Sequence, residues 1–283
     1  MTDSDILRGK HEIAHGSLLS IGDTERLWGW GSPAGKVRAR RRAELIVRAA
    51  GITRNARVLE VGCGTGVFTE YFAATGAQLI AVDISPELLK KARKRNLPAE
   101  QVLFKESRFE DCDIEGPFDA VIGSSVLHHL NIEAAFAKIL NLLKPGGFLC
   151  FAEPNAINPQ VFVMFGFRSY FPEISPDENP FLRWLLKDKL IRAGFDVPQI
   201  IPFDWLHPAT PTSLISVVDK MGSMMEKIPF LREFAGSLLI CARRPSHNAS
   251  NLKSVDMAKI KGYLKTSTKF KLQNILENTH FDD

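Results

Sequence analysis

The sequence predicts an α/β fold: a mostly parallel, doubly wound sheet of seven strands with helices on both faces and a helical lid with insertions late in the chain. Three observations carry that expectation. The stretch at 57–69 runs from Val58, Leu59, Glu60 and Val61 through Gly62, Gly64 and Gly66 into an amphipathic segment, the pattern of a buried strand, a tight turn and a helix. Apolar runs and helical patterns then alternate as far as Ala152. Those runs are apolar on nearly every residue rather than every second one, as strands of a parallel sheet covered on both faces must be.

Bulk properties narrow the class. A chain of 283 residues suffices for one large α/β domain with insertions, and 45% hydrophobic with 24% charged residues is ordinary for a globular protein. The net charge of +4 does not by itself point to nucleic acid, which requires Lys and Arg gathered on one surface. Cys63, Cys112, Cys150 and Cys241 form no C-x-x-C pair, so neither a metal site nor a disulfide framework is expected from them. Free thiols, acids instead of basic residues at the N-terminus, and no apolar run of about 20 residues make a cytoplasmic location the expectation.

In order, residues 1–50 are expected as an N-terminal helical cap: a short mixed segment, an irregular loop around Trp28 to Gly31, and a helix over 34–50. That helix carries Val37, Leu45, Ile46 and Ala49 on one side and Lys36, Arg38, Arg40, Arg41, Arg42 and Arg48 on the other. Such a basic run either recognises a phosphate or acidic substrate or, more often, is a solvated face. Residues 51–155 form the ligand-binding core, with strands at 58–61, 78–82, 101–104, 118–123 and 148–152. Ser85 and Pro86 start one helix by cap and first-turn proline, and Lys144 to Gly147 end another at 133–143. Residues 156–245 complete the sheet at 197–203 and 237–242 and add an aromatic segment at 158–170, a helix at 180–193 and a Met-containing insertion at 211–230. Core packing is the default for those aromatics. Residues 246–283 are a Lys-rich tail with apolar residues at helical spacing, expected to fold back or to dock on a partner subunit or an anionic surface.

Ligands of such sheets bind at the carboxyl ends of the strands, near the point where strand order reverses. The glycine turn lets a ligand approach the backbone, and the free N–H groups of the following helix favour anionic groups. A dinucleotide site wants G-x-G-x-x-G, but Val67 and Thr69 stand where the third glycine belongs, and no Gly-Lys-Ser/Thr follows for a P-loop.

The combination that does fit is Glu60-x-Gly62-x-Gly64-x-Gly66, with Asp83 closing the next strand, Phe118 to Val121 on the fourth, and Leu142 to Gly147 before the fifth. In these motifs, over residues 50–155, the chain resembles the class I S-adenosylmethionine-dependent methyltransferases. The resemblance implies a Rossmann-like core and S-adenosyl-L-methionine as cofactor. It places the methionine end on Gly62, Cys63, Gly64 and Gly66 with Glu60 nearby, the ribose hydroxyls on Asp83, and adenine between Ile84 and Phe109. Ser124, ending the fourth strand, completes the wall. Arg108 stands where the family often has an acid for the adenine amino group, so Glu110, Asp111 or a backbone carbonyl is the substitute expected.

Methyl transfer from a sulfonium is an in-line displacement, in which alignment contributes most and a base assists a hydroxyl or amine nucleophile. His128, His129 and Glu153, after the fourth and fifth strands, are the candidates for base or substrate orienter, with wall or structural roles as the alternatives. Glu153 and Asn155 are expected at the mouth of the site. An apolar lid suggests a small or amphiphilic organic acceptor. Nucleic-acid or protein methylation is disfavoured, since Ser124 to Leu127 replaces the Asn/Asp-Pro-Pro-Tyr signature. A silent cofactor-binding interaction module remains as the third reading, and a homodimer is left open.

Overall fold

A computed structural model describes residues 3–171, 174 and 178–246, so the expected tail beyond 246 lies outside the described residues. The helices and strands are α1 (Asp3–Ser20), α2 (Thr24–Leu27), α3 (Pro33–Ala49), β1 (Arg57–Val61), α4 (Val67–Ala73), β2 (Gln78–Asp83), α5 (Pro86–Arg93), β3 (Val102–Glu106), β4 (Phe118–Ser124), α6 (Ile132–Leu142), β5 (Leu143–Pro154), α7 (Pro159–Gly166), α8 (Arg183–Arg192), β6 (Asp196–Phe203), α9 (Ile215–Met225), α10 (Pro229–Arg232) and β7 (Ser237–Arg243). Side chains set several helix starts: Ser32 Oγ accepts from Gly35 N at 2.9 Å and Asn158 Oδ1 from Val161 N at 3.0 Å, each just before a first-turn proline.

The strands form one sheet in the order β3-β2-β1-β4-β5-β7-β6. β1 to β5 run parallel, and β7 enters antiparallel between β5 and β6. Order reverses at β1, whose neighbours are β2 and β4, so the turn after β1 sits at the switch point of the sheet. Alternate residues of β1 feed two cores. Leu59 and Val61 join Phe118, Phe136, Ile139 and Leu190 on the α6 and α8 side, while Val58 joins Ile46, Phe68, Phe72 and Ile122 on the α3 and α4 side.

Three expectations are corrected. The mixed segment at the N-terminus is an 18-residue helix, α1, packed on α5. Gly16 makes the approach feasible, since a Cβ there would come within 2.6 Å of Ser85 Oγ. On α3 the buried side is Ala34, Gly35, Ala39, Arg42, Ala43 and Ile46, with Val37 exposed, because small residues let α3 lie close and the Arg42 charge finds partners inside. Nor are the aromatics of α7 and its continuation core: no α7 residue is buried, and Phe162, Phe167 and Tyr170 stand out from the surface.

Candidate active site

A cavity of about 590 Å³ opens at the carboxyl ends of β1, β2 and β4. Its floor is the glycine turn, where Gly62, Gly64 and Gly66 all have positive φ (68°, 52° and 80°). A Cβ on Gly62 would overlap Val126, and one on Gly64 would press on the Trp28 ring at 3.4 Å. Arg95 fastens the turn from outside, donating to Thr65 O at 2.7 Å and pairing with Glu25 and Glu70. Gly62, Cys63 and Gly64 line the cavity, whereas Gly66 and Glu60 do not. Gly66 is the start of α4, packed against Ala92 and Arg95. Glu60 is buried behind the turn, where loss of solvent pushes its carboxyl up to about 8, Thr69 pulling it down and Asp83 adding to the rise.

Asp83 ends β2 with its carboxylate held from two sides. Gly64 N donates to Oδ2 at 2.7 Å and Ser85 N to Oδ1 at 2.8 Å. Burial pushes its carboxyl above the ordinary aspartate range, against the pull of those two N–H groups. Each oxygen keeps a further acceptor site toward the cavity wall. Ile84 and Phe109 also line the cavity, with α1 passing over Ile84 and Arg108 at Gly9. Arg108 pairs with Asp111 and also lies 3.9 Å from Glu110 Oε2. Glu110 lines the cavity, accepts from Asn131 N with Oε1 at 3.1 Å, and has Oε2 buried with no hydrogen bond among the described residues.

Ser124 closes the wall above a buried guanidinium. Arg42 donates to Ser124 Oγ at 3.2 Å, to Ser125 Oγ at 3.0 Å and to Ser237 Oγ, with Asp204 at 3.8 Å. Burial lowers Arg42 to about 10, Asp204 opposing the fall. Arg38 and Arg41 are likewise tied down, to Asp204 at 2.8 Å and Glu226 at 2.5 Å.

Glu153 does not reach the mouth of the site, correcting the sequence expectation. It is fully buried and accepts from Val126 N and Leu127 N at 2.9 Å with Oε1, and meets His128 Nδ1 at 2.5 Å with Oε2. Asn155 is also turned inward, donating to the carbonyls of Glu233 and Ala235. These polar groups fix the loop after β4 and the segment leading into β7.

His128 and His129 do line the cavity, with ring centroids 4.3 Å apart. His128 Nε2 is 3.5 Å from Glu178 Oε2, and His129 Nδ1 lies 2.9 Å from Glu12 Oε2 and 3.6 Å from Glu178 Oε1. Burial alone would lower His128, but the Glu153 and Glu178 carboxylates outweigh it and hold the ring up to about 10. Phe165, Phe171 and Met164 form the apolar part of the wall.

Sequence reasoning passed over Glu12, Glu178, Arg42 and Trp28. A signal existed for the first: Arg8, Glu12, His15 and Leu19 recur at helical spacing and all line the cavity. Glu178 sits in an irregular stretch where no periodicity could mark it.

The methyltransferase domain family matches residues 59–149, from the glycine turn to β5. Over those residues the chain carries a methyltransferase domain. Ubiquinone biosynthesis O-methyltransferases of Xanthomonas campestris pv. campestris (strain B100) and Xanthomonas oryzae pv. oryzae (strain PXO99A) are each 41% identical to it over 113 residues, 38% of this chain and 47% of theirs. The chain thus matches about half the length of these curated relatives. Among solved structures, the putative methyltransferase complexed with Haloferax volcanii Trm112 aligns with TM-score 0.60 at 17% identity, over 81% of this chain and 97% of that one. N-methyltransferase NodS from Bradyrhizobium japonicum WM9, complexed with S-adenosyl-L-homocysteine, gives 0.58 at 16%, over 83% and 100%. These distant structures share the fold. The methyltransferase domain's cofactor is S-adenosylmethionine, and the cavity suits it: a backbone cradle at Gly62 to Gly64 and two acceptor oxygens on Asp83.

Proposed function

We propose that the chain is an S-adenosylmethionine-dependent methyltransferase acting on a small or amphiphilic organic acceptor at a hydroxyl, amine or carbon. A hydroxyl is favoured by the O-methyltransferase name of the relatives. One observation carries the reading: a single cavity joins the glycine turn, Asp83, Ile84 and Phe109 to a second wall of His128, His129, Glu178, Phe165 and Phe171. That is space for a donor and an acceptor side by side.

Bound S-adenosylmethionine supplies an electrophilic methyl group. The backbone around Gly62 and Gly64 would take its amino-acid end, Asp83 its ribose hydroxyls, and Ile84 with Phe109 its adenine, and Glu110 would accept from the adenine amino group. Glu153 holds the loop at 126–128 in register, so that His128 and His129 are presented to the acceptor by a fixed scaffold. His128, oriented by Glu153, and His129, beside Glu12, are the acceptor-side groups that act as base or orienter.

Calorimetric titration with S-adenosylmethionine and S-adenosylhomocysteine tests the donor half. Transfer of a labelled methyl group to a panel of small phenols, alcohols and amines, beside RNA and protein, tests the acceptor half. Absence of heat with both ligands in folded protein, or label only in macromolecules, would overturn the proposal.

A further inference from the structure

The cluster where the cavity meets α1 has a composition that methyl transfer alone does not require. His128, His129 and Glu178 each offer one ligand atom, and these atoms all lie within 4.8 Å of one another. We infer that His128 Nε2, His129 Nδ1 and the Glu178 carboxylate form a binding site for a divalent first-row transition ion. The inference rests on the methyltransferase reading for its purpose, though not for its geometry.

Spacing is the first argument. Ligand bonds of about 2.0–2.2 Å to a tetrahedral ion set neighbouring ligand atoms about 3.4 Å apart. Glu178 stands 3.5 Å from His128 Nε2 and 3.6 Å from His129 Nδ1, wider than a charged hydrogen bond and close to the edge of such a polyhedron. The second argument is an unsatisfied atom. His129 Nδ1 is buried and makes no hydrogen bond among the described residues, although Glu12 and Glu178 carboxylates lie on either side of it. An imidazole nitrogen between two carboxylates is a place for a cation, a proton or a metal ion.

Orientation is the third. His128 Nδ1 meets Glu153 Oε2 at 2.5 Å, and the other Glu153 oxygen is held by two backbone N–H groups. A carboxylate bonded to the far nitrogen of a histidine is the arrangement that fixes a metal-binding ring and raises its basicity. Two imidazoles with one carboxylate select zinc, cobalt, iron(II) or manganese over calcium or magnesium, which prefer all-oxygen cages. Glu12, 2.9 Å from His129 Nδ1, is placed to become a fourth ligand or to hold a bound water.

All three ligand residues line the cavity, so an acceptor bound there could reach the ion. An acceptor hydroxyl reaching the ion would lose its proton more readily, the proton passing to water. Its oxygen would then form the new C–O bond as the C–S bond of the sulfonium breaks, releasing S-adenosylhomocysteine.

Cobalt(II) added to chelator-treated full-length protein provides the test, read by equilibrium dialysis and by the visible absorption bands of four- or five-coordinate cobalt. One cobalt per chain is expected. Glu178→Gln and His129→Gln should each weaken it at least tenfold, and Glu153→Gln about 10- to 100-fold through the ring it orients. Glu178→Gln should retain calorimetric binding of S-adenosylhomocysteine, whereas Asp83→Ala should lose that binding and retain cobalt; the retained ligand shows that each variant is folded. No bound cobalt in wild-type protein, or unaltered affinity in both Glu178→Gln and His129→Gln, overturns the site. Cobalt bound by a chain that takes no S-adenosylhomocysteine upholds the site and defeats the methyltransferase reading instead.

Discussion

Glu60→Gln should flatten a pH dependence of stability that Glu60 imposes on the folded protein. Glu60 is 2% exposed, and its Oε2 makes no hydrogen bond among the described residues. Burial lifts its carboxyl from 4.5 to about 8. The folded chain therefore holds that proton more tightly than the unfolded chain does. For a group raised on folding, the stabilisation is complete below the unfolded value and is lost as pH rises through the folded one. The window for Glu60 thus runs from about pH 4.5 to about pH 8. At about 1.4 kcal/mol for each pH unit in that window, ionising Glu60 removes on the order of 3 kcal/mol by pH 7. Urea unfolding of wild type and Glu60→Gln at half-unit steps from pH 5 to pH 8 gives the two slopes. The amide carries its own desolvation cost, so the slopes and not the absolute stabilities decide. Parallel curves would refute the argument, because they would mean that Glu60 is ionised in the native state at no cost.

Arg42→Met should cost about 3–5 kcal/mol in urea unfolding, since it strips the donor from Ser124, Ser125 and Ser237 and leaves Asp204 with one cation fewer; a loss below about 1 kcal/mol would show that the site repacks as an apolar one. Asp83→Ala should weaken S-adenosylmethionine roughly 10- to 100-fold for each ribose hydrogen bond removed, and an unchanged calorimetric affinity would take Asp83 out of the site. Gly62→Ala forces a methyl group onto Val126 at a positive φ, so a loss of about 1–3 kcal/mol in stability is expected. An unaltered Tm would contradict it.

The sheet was legible because its strands carry continuous apolar runs and its turns carry glycine, proline and caps, both of which are local signals. All seven strands overlap the runs that predict them, although β5 begins at Leu143 and takes in the turn expected at 144–147, and the parallel order of β1 to β5 follows from the alternation with helices. The glycine turn and Asp83 were legible for the same reason, since strand ends place them without knowledge of anything distant. What could not be read was which charged group finds a buried partner. Arg42 looks like its neighbours Arg40 and Arg41 in sequence, yet it alone of the three is buried, because its hydroxyl partners come from β4, its end loop and β7. Glu153 was misplaced by the same blindness: a carboxylate ending a strand at the switch side looks like a substrate contact until the N–H groups of 126 and 127 are seen pointing at it. The aromatics of α7 show the converse, since apolar composition marks burial somewhere but does not distinguish a core from a cavity wall or an exposed lid.

Charge placement bears directly on the acceptor. A polyanion such as RNA would need free cations at the rim of the cavity, and α3 was the segment with cations to offer. In the fold Arg38, Arg41 and Arg42 are engaged with Asp204, Glu226 and buried hydroxyls, while Arg40 and Arg48 both pair with Glu44. The cavity itself presents Glu12, Asp83, Glu110 and Glu178, against Arg8, Arg26, Arg108 and its histidines. Arg108 is already paired with Asp111. At the acceptor wall Glu12 and Glu178 face His128 and His129, so charge there is compensated locally, beside the apolar surface of Phe165 and Phe171.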